Sequence, residues 1–136
     1  MKPPRNEPAI RVVMMPRDLN HQGAVFGGVI LSYIDQAGFV EAKRQAYHKY
    51  VTASIGRVDF KNPIHCGDIV SFHAKALRIG KTSITVQVDV YVDYLDGETQ
   101  QRVQVTEAEI TYVALNRDNR PTPVFPGEEF DVQPKT

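Results

Sequence analysis

One segment of helical length and patterning, residues 26–47, is followed by nothing but strand patterning, and that asymmetry limits what the chain can build. Residues 26–40 read Phe-Gly-Gly-Val-Ile-Leu-Ser-Tyr-Ile-Asp-Gln-Ala-Gly-Phe-Val, and Asp35 is the one charged residue between Asp18 and Glu41. A helix this apolar needs cover around most of its circumference, so the strands that follow must wrap it. At helical spacing Asp35 shares a stripe with Leu31, Gly38, Phe39 and Ala42, which predicts a carboxylate carried into the core. Burying an unpaired carboxylate costs several kcal/mol, on the order of a small domain's whole stability. Asp35 therefore needs good partners or a use, and it is the first candidate for chemistry. The helix is expected to run from Gly27 to about Tyr47, with Glu41, Lys43 and Arg44 emerging at its far end, where cations suit the dipole.

The strand signals are regular. Ile84, Val86, Val88, Val90 and Val92 alternate with polar or amphipathic residues, a period of two with one face to the core. Val51, Ala53 and Ile55 alternate likewise until Gly56, after which Val58 and Phe60 continue out of phase, which predicts a bulge. The last strand slips in the same manner, Val103 and Val105 giving way to Ala108, Ile110, Tyr112 and Ala114. Turn signals at Asn62-Pro63, His65-Cys66-Gly67-Asp68, Ile79-Gly80-Lys81 and Leu95-Asp96-Gly97 divide four long strands, preceded by a short apolar run at residues 10–15 that Pro16 stops. The expected organisation is a loose arm (1–9), one α+β domain (10–116) and a proline-rich tail (117–136) with little core content.

At 136 residues the chain is of single-domain size, with a formal net charge of zero, which argues against nucleic-acid binding by general electrostatic attraction. The lone cysteine, Cys66, forms no intrachain disulfide, and no apolar run is long enough to span a bilayer. The N-terminus lacks the apolar core of a signal peptide, so a cytoplasmic protein with no membrane partner is expected. The four histidines show no metal-ligand pairing, and no metal or cofactor is expected. Gly80-Lys81-Thr82 imitates the end of a phosphate loop, but position 75 is lysine and a strand follows.

Three features converge on the start of the helix. Gly27 and Gly28 expose backbone N–H groups at the positive end of the dipole, where an oxyanion is stabilised; equally, such a pair lets a helix start lie close to a strand. Asn20 precedes them in a polar loop, where asparagine commonly serves the turn itself. Asp35 follows Gly28 by about two turns, near 10 Å of rise. An amide, a pair of N–H donors and a carboxylate suit acyl transfer to water.

An ordered series runs Asn20-His-Gln-Gly-Ala-Val-Phe-Gly-Gly28, Ile34-Asp35-Gln-Ala, Thr52-Ala-Ser, Val58-Asp-Phe-Lys-Asn-Pro63, Gly67-Asp68-Ile-Val and Gly80-Lys-Thr-Ser83. Over residues 15–126 it resembles the acyl-CoA thioester hydrolases of the hotdog superfamily. The resemblance implies a hotdog fold, a long central helix wrapped by a curved antiparallel sheet and dimerised edge to edge. It implies Asp35 as the general base or nucleophile and Asn20, from the other subunit, as the residue that positions water or thioester. It further implies Gly27 and Gly28 as donors to the thioester carbonyl, Thr52 in the substrate site, and Gly80, Lys81, Thr82 and Ser83 as contacts to CoA. Lysine at the second place of that last segment, where arginine is usual, keeps the charge and loses the planar fork. Single-domain members associate as dimers, commonly three to a hexamer. The competing readings are a hotdog dehydratase or hydratase, disfavoured because neither His21 nor His48 has a reason to reach Asp35, and a non-catalytic acyl-CoA sensor.

Overall fold

A computed structural model describes residues 7–126; the first six residues of the expected arm and the tail from residue 127 lie outside the described residues. Strand β1 (Ile10–Val13) and a 3-10 turn at Pro16–Asp18 lead to helix α1 (Gly27–Gln45), then to β2 (Lys49–Phe60), β3 (Ile69–Ile79), β4 (Ser83–Asp96) and β5 (Thr99–Leu115). All pairings are antiparallel in one sheet ordered β1-β3-β4-β5-β2, with α1 packed mainly on β3 and β4. One helix against one five-stranded sheet is the expected architecture.

Alternation on β4 places Ile84, Val86, Val88 and Val90 completely in the core and Val92 nearly so, while Thr85 on the opposite face is buried as well. Each such side chain contributes up to about 1.5–3 kcal/mol of burial. Gly67 and Gly97 sit in turns at φ +88° and +66°, a region that glycine enters without the Cβ penalty. The slip on β5 is present, because Val90 pairs with Thr106 and Tyr91 with Gln104, leaving Val105 as the extra residue. Strand β2 carries the predicted irregularity between Ile55 and Val58 and a second between Thr52 and Ser54. The extra residue Ala53 puts Val51 out of phase with Ile55, so the three apolar residues do not share the expected core face. Val51 remains 45% exposed, while Tyr50 is buried and Thr52 turns to the helix.

The helix buries Ile30, Ile34, Ala37, Gly38, Glu41, Ala42 and Gln45, a stripe at helical spacing, and ends two residues before the expected Tyr47. Two expectations need correction. Glu41 does not emerge: it is 4% exposed, bonded to Arg44 Nε (2.8 Å), Gln45 Nε2 (2.8 Å) and the backbone N–H of Ala76 (3.2 Å). It lies beside the place where β3 slips register against β4, between Ala76 and Arg78, and supplies an acceptor that the disturbed ladder needs there. Asp35 is not enclosed in the core either; it is half-buried at the margin of the stripe. The sheet covers one face of α1 only, and Phe39 and Val40 on the other side are 39% and 42% exposed.

The segment after Asn116 contributes more than expected. Val124 is 1% exposed and belongs to the core; its N–H donates to Lys81 O (2.9 Å), and its carbonyl lies 2.7 Å from His48 Nε2. Thr122 N–H donates to Ala114 O (2.9 Å), which fastens this segment to the end of β5.

Candidate active site

Asp35 meets two hydroxyl groups. Thr52 Oγ1, on β2, donates to Asp35 Oδ1 at 2.8 Å, and the Tyr112 hydroxyl, on β5, lies 2.6 Å from the Asp35 carbonyl oxygen and 3.1 Å from the same Oδ1. Both donors therefore act on one carboxylate oxygen. Among the described residues nothing donates to Oδ2. The phenol of Tyr112 is held well above its usual pKa, chiefly by burial and then by the charge and hydrogen bond of Asp35, against a smaller opposing effect of the Phe39 N–H. It stays protonated, and so a donor, across the neutral range.

Tyr112 reaches the helix because residue 38 is glycine. A Cβ there would collide with the Tyr112 hydroxyl oxygen and come within 2.9 and 3.0 Å of two ring carbons. Sequence reasoning noted Gly38 only as part of an apolar stripe and Tyr112 only as an inward strand residue. Its 77-residue separation from Asp35 left no local signal.

The helix start is open. The residue before it, Phe26, provides no side-chain cap, and there is no acidic side chain in the first turn, so the dipole's positive end and its first N–H groups are uncompensated by side chains. The two glycines differ. A Cβ on Gly27 would come within 3.3 Å of the Phe60 ring, so close packing accounts for it; one on Gly28 would meet nothing within 4 Å, so packing within the chain does not explain the second glycine. Beside Gly27 lies a cavity of about 300 Å³, with Val25, Ile30, Phe60 and Ile64 in its wall and Lys61 and Asn62 as its polar members.

Asn20 serves its own loop. Its Oδ1 accepts from the backbone N–H groups of Gln22 (2.8 Å) and Ala24 (3.2 Å), which fixes the amide's orientation, since only oxygen can face two N–H donors. The turn role and a chemical role are compatible, because the Nδ2 group remains as a donor. No described hydrogen bond joins Asn20 to Asp35. Gly80, Lys81, Thr82 and Ser83 form the turn between β3 and β4, closed by Gly80 N–H to Ser83 O (2.8 Å) and tied to β5 by Ala114 N–H to Thr82 O (2.8 Å). Lys81 is exposed on it. Neither His21 nor His48 bonds to Asp35; His48 faces the carbonyl of Val124. No group of three or more His, Cys, Asp or Glu suited to a metal occurs among the described residues.

A family model described as the thioesterase superfamily matches residues 22–94, and the chain belongs to that superfamily. Its relatives narrow the comparison: the acyl-CoA thioester hydrolase YciA of Salmonella typhimurium is 35% identical over 122 residues, 89% of this chain and 92% of the relative. Among solved structures, Cj0915 of Campylobacter jejuni, a hexameric hotdog fold thioesterase, superposes with a TM-score of 0.83 at 39% identity, over 89% of this chain and 92% of that one. The helix and its sheet are thus a hotdog fold. An acyl-CoA hydrolase of Staphylococcus aureus, solved with butyryl coenzyme A and coenzyme A, gives a TM-score of 0.79 at 31% identity over 85% of this chain and 69% of its own. That hydrolase has also been solved with an aspartate and with an asparagine replaced by alanine.

Proposed function

We propose that this chain is an acyl-CoA thioesterase, hydrolysing acyl-CoA to a carboxylic acid and CoA with Asp35 at the reacting centre. The observation that carries the reading is the half-buried Asp35 carboxylate, held at Oδ1 by Thr52 and Tyr112 and given no donor at Oδ2 by the described residues. Acting as a base, Oδ2 takes a proton from water as the water oxygen adds to the thioester carbonyl; acting as a nucleophile, Oδ2 adds to that carbonyl itself. In either case the negative charge gathers on the carbonyl oxygen, where the N–H groups of Gly27 and Gly28 at the uncapped helix start stabilise it. Collapse of the tetrahedral adduct expels the CoA thiolate, which takes up the proton held by Oδ2 on the base route or one from water on the nucleophilic route. The latter leaves an acyl anhydride on Asp35 that water hydrolyses to the free acid and the carboxylate. Lys81, exposed on its turn, is the proposed contact for the CoA phosphates, as a point charge.

The second subunit is part of this reading. Strand β2 is a sheet edge of twelve residues, and its Val51 is exposed, as are Phe39 and Val40 on α1, features suited to association with a second copy of the chain. Edge-to-edge dimers would bring Asn20 of one copy to Asp35 of the other, and the hexameric relatives support three such dimers as the assembly. The proposed compartment is the cytoplasm, where the exposed Cys66 stays reduced; no described helix is long and apolar enough to cross a membrane.

The test is thiol release from a panel of acyl-CoAs of graded length, with the second product identified. Free acid from the wild type and at least a hundredfold lower turnover in Asp35→Asn are expected, roughly the lower bound for a general base. An enoyl product, or binding without turnover, would replace this reading with hydration chemistry or a sensor.

A further inference from the structure

We infer that Tyr112 is a positioning residue for the reaction: its hydroxyl anchors Asp35 at both the main chain and the side chain and leaves Oδ2 as the reacting oxygen. The inference rests on the reading of Asp35 as the catalytic carboxylate.

Thr52 and Tyr112 are the two described donors to the carboxylate, and they approach from different strands. Thr52 donates from the edge strand β2, beside the irregularity between Thr52 and Ser54. Tyr112 donates from β5, in the interior of the sheet; it is 1% exposed and among the largest fully buried side chains. Thr52 and Tyr112 are also register partners, so their side chains stand side by side facing the helix. A hydroxyl has one proton, and the shorter Tyr112 contact is to the Asp35 carbonyl at 2.6 Å, with Oδ1 at 3.1 Å as the second acceptor. One buried oxygen thus touches two points of one residue. That restrains rotation about the Cα–Cβ bond, which would otherwise carry Oδ1 away from both hydroxyls. Thr52 alone, on an exposed edge, would leave the carboxylate held by a single contact.

The contact also requires a concession from the helix. Gly38 is a helical residue within α1, where glycine is less favourable than alanine. The space it vacates is filled by the Tyr112 hydroxyl and ring edge. An apolar core needs no hydroxyl at that point, since phenylalanine would fill the same space. The hydroxyl's acceptors are the atoms of Asp35, and this marks orientation of the carboxylate, in addition to packing, as its effect.

The experiment compares Tyr112→Phe, Thr52→Val, the double variant and Asp35→Asn on one acyl-CoA substrate, with assembly size and circular dichroism confirming that each is folded. Tyr112→Phe is expected to lower kcat roughly tenfold, given that small misplacements cost up to about a hundredfold, with KM changed less than twofold. In the Thr52→Val background the same substitution is expected to cost a larger factor, because Oδ1 has then lost both of its described donors. Undiminished kcat in a folded Tyr112→Phe, a loss confined to KM, or factors that simply multiply would each overturn the inference. If Asp35→Asn itself turns over at a near wild-type rate, the catalytic reading of Asp35 fails and this inference with it. If Asp35→Asn is inactive while Tyr112→Phe is fully active, only the role of Tyr112 falls.

Discussion

Tyr112 occupies the space that a side chain on Gly38 would take, so a strand residue and a helix residue 74 positions apart are fitted to each other, the tyrosine requiring the glycine. The pair sets the distance between α1 and β5 at the level of Asp35. Gly38→Ala gains helix propensity but forces a Cβ into the Tyr112 hydroxyl, which is bonded and cannot swing aside. A net loss of about 1–3 kcal/mol is expected, together with a fall in the proposed thioesterase turnover. Urea unfolding and thiol release measure the two effects, and a stabilised, fully active Gly38→Ala would show that the helix has room to move.

Glu41 is a buried carboxylate with three donors, one of them the backbone N–H of Ala76. Glu41→Ala takes this acceptor from the Ala76 N–H and breaks the Arg44 ion pair, and a loss of about 3 kcal/mol is expected. Glu41→Gln, which keeps one acceptor oxygen, should lose less. Chemical unfolding at fixed protein concentration separates the two, and equal midpoints for Glu41→Ala and wild type would remove Glu41 from the structural account.

The orientation of Asn20 makes Asn20→Asp informative. Its carboxylate can still accept from Gln22 and Ala24, so the loop should persist, while the donor at Nδ2 is lost and with it the activity. Because Asn20 and Asp35 are proposed to meet across a dimer, co-refolding Asn20→Asp chains with Asp35→Asn chains should return about a quarter of wild-type activity. Half of randomly paired dimers are mixed, and each of those holds one intact site. Zero activity in a mixture shown by mass to contain mixed dimers would place both residues of a site in one chain.

Alkaline stability should depend on Tyr50. Its hydroxyl donates to Ala46 O (2.7 Å), and burial pushes its pKa up to about 12. The folded state therefore holds this proton more tightly than the unfolded chain does, at about 10. Its contribution is fully present below pH ~10 and is lost as pH rises towards about 12. Melting temperatures taken between pH 8 and 12 should fall less steeply for Tyr50→Phe than for wild type; parallel curves would assign the alkaline loss to other groups.

The fold was legible wherever one local period governed a whole element. Alternation from Ile84 to Val92 and the helical spacing from Ile30 to Ala42 are of this kind, as is the phase slip around Gly56, where the pattern visibly changes. The irregularity at Ala53 was not legible, because Val51, Ala53 and Ile55 look continuous in sequence while the pairing inserts a residue among them. Glu41 looked like a solvated helix end because its charge is local, whereas the backbone group it satisfies lies 35 residues away on β3. The candidate site residues Asn20, Gly28 and Asp35 were named from residue types along the chain. The contacts that support Asp35 were not legible, since Thr52 and Tyr112 reach it through strand order, which a linear pattern does not specify.

The hydrogen bonds of Val124 have a practical consequence for anyone who would shorten or tether this protein. Composition draws a boundary near Asn116, yet a chain cut there would remove the Val124 N–H bond to the Lys81 carbonyl and the peptide oxygen that His48 faces. The β3–β4 hairpin tip would lose one of its fastenings, and a buried valine's place in the core would stand empty. A junction beyond Pro126 keeps both, and the ten residues separating the two positions decide whether an immobilised version presents the same β3–β4 turn as the free one.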